Sequence, residues 1–112
     1  APAVIIATPE YNKALSGVLK NALDWVSRVP GTPWLDKPVA IMSATAGRAG
    51  GERAQWTLRL CLLPFRADVL AGPEVLVGSN DTAFDADGRL TNARSQAGLE
   101  ELMALLRAKA AG

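Results

Sequence analysis

Two short loops contain the residues of this sequence that are best suited to bind a ligand. The first consists of Thr8, Pro9, Glu10, Tyr11 and Asn12, and it combines a proline-stiffened turn and exposed backbone N–H groups with a tyrosine ring and an amide. Such a set suits a flat heteroaromatic ligand with polar edges. The four residues from Pro9 onward, taken alone, slightly favour a plainer interpretation, a strand-to-helix turn capped by Asn12.

The second loop spans residues 43–51 and is rich in glycine. It begins at Ser43 and includes Gly47, Gly50 and Gly51, where the absence of side chains would let the backbone approach a ligand closely. The spacing matches neither the G-x-G-x-x-G dinucleotide motif nor the P-loop motif. A flexible connection ahead of a helix therefore stays open as an alternative to a binding loop.

The counts of histidine and cysteine exclude several classes of site. The chain has no histidine and one cysteine, so it can form neither an internal disulfide nor a zinc site of the Cys/His type. Serine and cysteine hydrolases with a histidine base are excluded for the same reason. Cys61 lies among leucines and is predicted to be a small buried core residue. We predict no metal site and no catalytic side chain.

Size and charge indicate one ordinary domain without a polyelectrolyte partner. A chain of 112 residues with 49% hydrophobic residues can form one modest core. The formal net charge of +1 gives no sign of nucleic-acid binding. The apolar runs are too short to span a bilayer, and no leader-like segment opens the sequence. A soluble, cytoplasmic protein is expected.

The order of predicted elements indicates an α/β fold. Residues 3–7 and 38–42 are continuous apolar runs, each typical of a strand buried on both faces. A third strand is expected in two parts, 67–70 and 74–77, around Gly72 and Pro73. Alternating strands and helices build a parallel sheet, and ligands bind at the carboxyl ends of its strands. The two loops should therefore meet in space.

Three helices are expected between and after these strands. The first should follow a cap at Ser16 and end before Pro30 and Gly31, and the second should extend from Glu52 to about Leu63. The third should begin between residues 91 and 95. The apolar positions that recur at helical spacing in the first helix are Val18, Leu19, Ala22, Leu23 and Val26.

Four stretches of the chain resemble one enzyme family. PEYN is followed by a short spacer and LKNALDW within residues 9–28, and the likeness continues through KPVAIMSATAGRAGG, RAQWTLR and FDADGRLTN. Together they resemble the NAD(P)H-dependent FMN reductases, a group that includes quinone, azo-dye and chromate reductases. The resemblance covers essentially the whole chain.

The resemblance implies a flavodoxin-like three-layer sandwich that holds FMN. Residues 8–12 would surround the isoalloxazine ring, and Ser43, Gly47, Gly50 and Gly51 would contribute on the neighbouring side. NAD(P)H would deliver hydride to the flavin, which would pass electrons to a quinone, a free flavin or another small oxidised acceptor. Similar proteins form homodimers or homotetramers through helices at this end of the domain, and the helix residues Lys20, Asn21, Asp24 and Trp25 are part of the signature.

One part of the family pattern is not found in residues 1–112. Similar proteins begin with a strand, a phosphate-binding loop of the G-S-x-R-x-x-S kind, a helix and a second strand. We therefore expect residues 1–112 to be the C-terminal two thirds of one domain, with a free strand edge that seeks a partner. FMN should then be bound weakly or not at all. The alternative function is a non-catalytic flavodoxin-like fragment that associates through this edge.

Overall fold

Four strands and three α-helices alternate along the chain in the computed structural model, which describes all of residues 1–112. In chain order they are β1 (Val4–Thr8), α1 (Gly17–Val26), β2 (Pro38–Ala44), α2 (Glu52–Leu62), β3 (Asp68–Val69), β4 (Leu76–Val77) and α3 (Ala93–Ala111). A short 3-10 helix, Leu63–Phe65, extends α2.

The strands form one parallel sheet with β2 at its centre. β1 pairs with β2 from Val4 opposite Val39 to Thr8 opposite Ser43. On its other edge, β2 pairs with β3 near its start and with β4 near its end. The predicted parallel α/β arrangement and the split third strand are both confirmed. The split follows from Gly72 and Pro73, because a proline has no N–H to offer to a sheet.

Two apolar clusters cover the two faces of β2. On one face, α1 and α2 contribute Leu23, Leu58 and Leu62 to a cluster that includes Val39 and Ile41. On the other face, α3 contributes Leu102 and Leu106 to a cluster around Ala40. The fold therefore has three layers, and β2 is buried on both faces as its apolar run predicts.

β1 differs from this prediction, because only one of its faces is buried. Ile6 is buried, whereas Ile5 is 53% exposed and Ala7 is also exposed. The register places Ile5 opposite Ala40, so Ile5 lies on the α3 side of the sheet. α3 packs against β2, the central strand, and β1 is the terminal strand. The prediction that residues 3–7 are buried on both faces is therefore wrong.

The helix boundaries follow the local signals in the sequence. Ser16 caps α1 by accepting a hydrogen bond from the N–H of Leu19, and Asn92 caps α3 by accepting one from the N–H of Ser95. α1 ends at Val26, ahead of Pro30, and α3 begins at Ala93 as expected. No helix combines the length and the apolar composition that a membrane crossing requires.

The apolar positions of α1 do not form one buried stripe. Leu23 is buried and Leu19 packs against the same cluster, but Val18 and Ala22 are exposed and Trp25 is 72% exposed. Cys61, predicted to be buried, is half-buried against this cluster. α1 thus presents apolar side chains on its outer face as well as on its inner one.

Two leucines of α2 provide a test of the packing. Leu58 is fully buried and Leu60, two residues away, is 65% exposed. We expect Leu58→Ala to lower the free energy of unfolding by ~2–5 kcal/mol, because it leaves a cavity between α2 and the sheet. Leu60→Ala should change it by no more than ~0.5 kcal/mol. Urea denaturation followed by far-UV circular dichroism measures both, and equal losses would contradict the assigned face of α2.

Candidate functional site

The two loops singled out in the sequence begin side by side. Thr8 and Ser43 are register partners at the carboxyl ends of β1 and β2, and both are buried. The first loop (residues 8–12) and the glycine loop (residues 43–51) therefore leave the sheet from neighbouring strands at one edge. Their predicted meeting is confirmed, and it places the candidate site where ligands bind to open parallel sheets.

The first loop ends in a tight turn. Tyr11 and Ala14 exchange two backbone hydrogen bonds, at 2.9 and 3.0 Å, around Asn12 and Lys13. Asn12 and Lys13 have φ angles of 51° and 68°, the left-handed values that a type I′ turn needs. Tyr11 and Asn12 are both exposed. Asn12 does not cap α1, because Ser16 does, so the plainer interpretation of this loop is wrong in that respect.

α2 holds the first loop at Glu10 and the segment that follows this loop at Leu15. The carboxylate Oε1 of Glu10 accepts a hydrogen bond from the N–H of Ala54 at 2.8 Å. The N–H of Leu15 donates to Oγ1 of Thr57 at 2.9 Å. Ala54 and Thr57 are one helical turn apart, so both contacts lie along one side of α2. The side chain of Glu10 is thus engaged by the protein itself.

Two glycines of the glycine loop are needed for packing within the protein. Gly51 has a φ of 93°, and a Cβ there would lie 2.6 Å from the Cβ of Ser43. A Cβ on Gly50 would lie 2.7 Å from the carbonyl carbon of Leu76. Gly47, by contrast, has no atom within 4 Å of a Cβ position. The close approach that Gly50 and Gly51 permit is therefore to the chain's own strands, and open space is found at Gly47.

A buried polar network supports the glycine loop, and the sequence analysis missed its central residue. Ser43 Oγ donates to the carbonyl of Gly50 at 2.5 Å and accepts from Gln55 Nε2 at 2.9 Å. Gln55 Nε2 also donates to the carbonyl of Val75 at 2.9 Å. Gln55 is fully buried, and its Oε1 has no partner. A glutamine at helical spacing from Leu58 and Leu62 was the available signal.

Several backbone donors in these two loops have no acceptor within the chain. The N–H groups of residues 46–51, and those of Glu10, Asn12 and Lys13, donate no hydrogen bond within the chain. Buried backbone N–H groups are almost always paired in folded proteins, and N–H groups of exposed residues such as Asn12 and residues 46–49 are free to donate to water or to a ligand. Successive free N–H groups ahead of a helix also form a favourable environment for electron-rich ligand atoms. The edge thus offers hydrogen bonds to a ligand.

The remaining residues singled out in the sequence lie away from this edge. Lys20 and Asp24 form an exposed ion pair on α1 at 2.6 Å, and the hydrogen bond to Asp24 raises the pKa of Lys20. Asn21 and Trp25 are exposed on the same helix. These four residues lie on the outer surface of α1, away from the carboxyl edge of the sheet.

Comparison with known proteins identifies the family. A family model described as NADPH-dependent FMN reductase matches residues 1–82. The chain belongs to this family. The resemblance based on PEYN and LKNALDW is thereby confirmed.

Three curated relatives are between 38% and 49% identical to this chain over the aligned residues. An NAD(P)H-dependent FMN reductase of Pseudomonas aeruginosa is 49% identical over 96 residues, which cover 86% of this chain and 52% of that protein. A quinone reductase of Escherichia coli is 46% identical over 78 residues, covering 70% of this chain and 42% of its own. An NADPH:quinone oxidoreductase of Arabidopsis thaliana is 38% identical over 110 residues, which cover 96% of this chain and 55% of that protein. The chain thus spans about half the length of these relatives.

A similar solved structure confirms the fold. FerB of Paracoccus denitrificans, a flavoenzyme NAD(P)H:(acceptor) oxidoreductase, superimposes with a TM-score of 0.77 at 32% identity. The match covers 98% of this chain and 59% of that one. The flavodoxin-like α/β fold implied by the sequence is confirmed.

The glycines of the loop allow a matched test of its packing. Gly51→Ala places a Cβ against Ser43 and imposes a left-handed φ on alanine, so we expect the melting temperature to fall by roughly 8 °C or more, equivalent to ~2 kcal/mol. Gly47→Ala meets open space and should leave the melting temperature within ~2 °C of wild type. Differential scanning calorimetry of the two variants measures the contrast. Equal shifts would show that the glycine loop does not pack on β2 as described.

Proposed function

We propose that this protein is an FMN-dependent NAD(P)H oxidoreductase that passes electrons to quinones, flavins or other small oxidised acceptors. The observation that carries the proposal is the set of unpaired backbone N–H groups in two neighbouring loops at the carboxyl edge of the sheet. The family and the names of the relatives support the same activity.

The residues of the first loop are proposed to hold the isoalloxazine ring. The exposed ring of Tyr11 is available for stacking, and the N–H groups of Glu10 and Asn12 are available to the polar ring edge. Thr8 and Pro9 form the base of the loop where it leaves β1. Backbone hydrogen bonds of this kind orient a planar ring without a charged side chain, which suits a ligand that changes redox state.

The glycine loop is proposed to contribute on the neighbouring side. Gly47 offers open space, and the N–H groups of the exposed residues 46–49 are free to donate. Ser43, Gly50 and Gly51 are buried and act by shaping this loop. When bound, FMN accepts hydride and passes electrons on, so no acid or base from the chain is needed for that step.

The proposed domain organisation places residues 1–112 within one flavodoxin-like FMN reductase domain, as its C-terminal two thirds. The partial coverage of FerB and the free edge of β1 support it. The resemblance assigns the FMN phosphate to a G-S-x-R-x-x-S motif, which residues 1–112 do not contain. We propose that residues 1–112 contact the flavin mainly at its ring.

A second candidate function is association with another copy of the chain, as a homodimer, a homotetramer or a pair joined at the strand edge. β1 has a free edge beside the exposed side chain of Ile5. An apolar groove of about 420 Å³ adjoins it, lined by residues that include Ala7, Met42 and Leu99. Trp25 and Trp56 add exposed apolar area on the helices of the opposite face.

Flavin titration tests the first candidate. We expect the chain to quench the fluorescence of riboflavin and of FMN, with dissociation constants within about threefold of each other, because the ring supplies most of the contacts. Tyr11→Ala should weaken binding about tenfold, or ~1.4 kcal/mol, through loss of stacking. Tyr11→Phe, which keeps the ring, is the matched control.

The outcomes of this titration separate the two candidate functions. No quenching at millimolar flavin would contradict the flavin site in this chain and favour the association module. Where flavin binds, oxidation of NADH and NADPH with a benzoquinone, followed at 340 nm, tests electron transfer.

Sedimentation velocity tests association at the sheet edge. A charged side chain beside the free edge opposes strand pairing, so we expect Ile5→Lys to convert any dimer to monomer. Trp25→Lys, on the opposite face, should then leave the dimer intact. Dissociation by Trp25→Lys alone would assign the interface to the outer surface of α1 instead, and a wild-type chain that stays monomeric would contradict association altogether.

A further inference from the structure

α2 begins without a cap from its own segment. The residue at its N-cap position is Gly51, which has no side chain to accept a hydrogen bond from the first turn. Serine, aspartate and asparagine, the usual caps, are excluded there because any Cβ would lie 2.6 Å from the Cβ of Ser43. The packing of the glycine loop therefore removes the local cap, and an acceptor must come from elsewhere.

Glu10 supplies this acceptor from 44 residues earlier in the chain. Its Oε1 lies 2.8 Å from the backbone nitrogen of Ala54, in the first turn of α2. A carboxylate at a helix N-terminus is favoured both by the charge-assisted hydrogen bond and by the helix dipole. Glu52 is also in the first turn, but its carboxylate accepts no hydrogen bond within the chain. Glu10 and Glu52 both carry a carboxylate close to the start of α2, but only the carboxylate of Glu10 accepts a hydrogen bond from the helix.

This single contact connects the two candidate loops. Glu10 lies in the middle of the first loop, and α2 follows directly after the glycine loop. The Glu10 carboxylate thus holds the free N–H groups of the first loop in a set relation to those of residues 46–51. The hydrogen bond from the N–H of Leu15 to Oγ1 of Thr57 holds the segment that follows the first loop, and it does not involve Glu10.

We propose that Glu10 is a positioning residue, whose carboxylate orients the two halves of the flavin site by capping α2. This inference rests on the proposed flavin site. The side chain of Glu10 acts on α2, and its backbone N–H remains available to the ring. Loss of the carboxylate misaligns the loops relative to each other while the sheet, which is held by β2, stays intact.

Amide hydrogen exchange tests the connection without any ligand. In Glu10→Ala, exchange of the hydrogen-bonded amides of Tyr11, Ala14 and Ala54 should accelerate about tenfold, because the first loop and the start of α2 lose their shared contact. Glu10→Gln keeps an oxygen acceptor at the same position and should restore most of the protection. Glu52→Ala removes a carboxylate from the same turn and should leave both segments close to wild type. Glu10→Asp shortens the side chain by one methylene. It should weaken the contact with Ala54, preserve the fold and accelerate exchange less than Glu10→Ala does.

Riboflavin binding tests the consequence for the site. We expect the dissociation constant to rise about tenfold in Glu10→Ala and to stay within about threefold of wild type in Glu10→Gln and Glu52→Ala. The visible circular dichroism of bound riboflavin should change in Glu10→Ala alone, since it reports the orientation of the ring.

The results distinguish this inference from the proposed function. A wild-type chain that binds no riboflavin contradicts the flavin site, and the exchange experiment still decides whether Glu10 connects the loops. Unchanged exchange in Glu10→Ala and Glu10→Asp, or equal acceleration in Glu52→Ala, would overturn the connection. Restored exchange in Glu10→Gln without restored binding would also overturn the proposal, because the carboxylate would then act on the ring directly.

Discussion

The hydrogen bonds made by the first two turns of α2 hold together the segments that form the candidate site at the carboxyl edge of the sheet. Ala54 bonds to the first loop, Gln55 bonds to β2 and to the segment that leads into β4, and Thr57 bonds to the chain just before α1. These partners are far apart in the sequence, and α2 makes a hydrogen bond to each of them. Gln55 is fully buried, so the loss of either hydrogen bond of its amide nitrogen would leave a polar group in the core with fewer partners and would destabilise the fold.

The central position of β2 explains why this edge can be rigid. Its side chains are covered by helices on both faces and its backbone is paired on both sides, so its carboxyl end is well fixed. β1 is paired on one side only, yet its carboxyl end is additionally secured through the contacts of the first loop with α2. The loops thus start from fixed points, as a site that binds mainly through backbone N–H groups requires.

The glycine loop shows how packing and binding share the same residues. Gly50 and Gly51 let the loop lie against Leu76 and Ser43, and this close packing leaves its N–H groups without acceptors in the chain. The chain belongs to the NADPH-dependent FMN reductases. The isoalloxazine ring of FMN carries hydrogen-bond acceptors along one edge. In the proposed flavin site, the N–H groups of the exposed residues 46–49 would donate to those acceptors.

Local rules in the sequence determined much of the fold. The caps at Ser16 and Asn92, the interruption at Pro73 and the alternation of strands and helices depend on a few neighbouring residues, and PEYN with LKNALDW identified the family. Only the tertiary structure decided what depends on distant neighbours. Ile5 is exposed because β1 is an edge strand, Gly51 is required because Ser43 lies against it, and Glu10 caps a helix that begins some 40 residues later. Such roles are set by which segments meet in space, and residue type and local spacing do not contain that information.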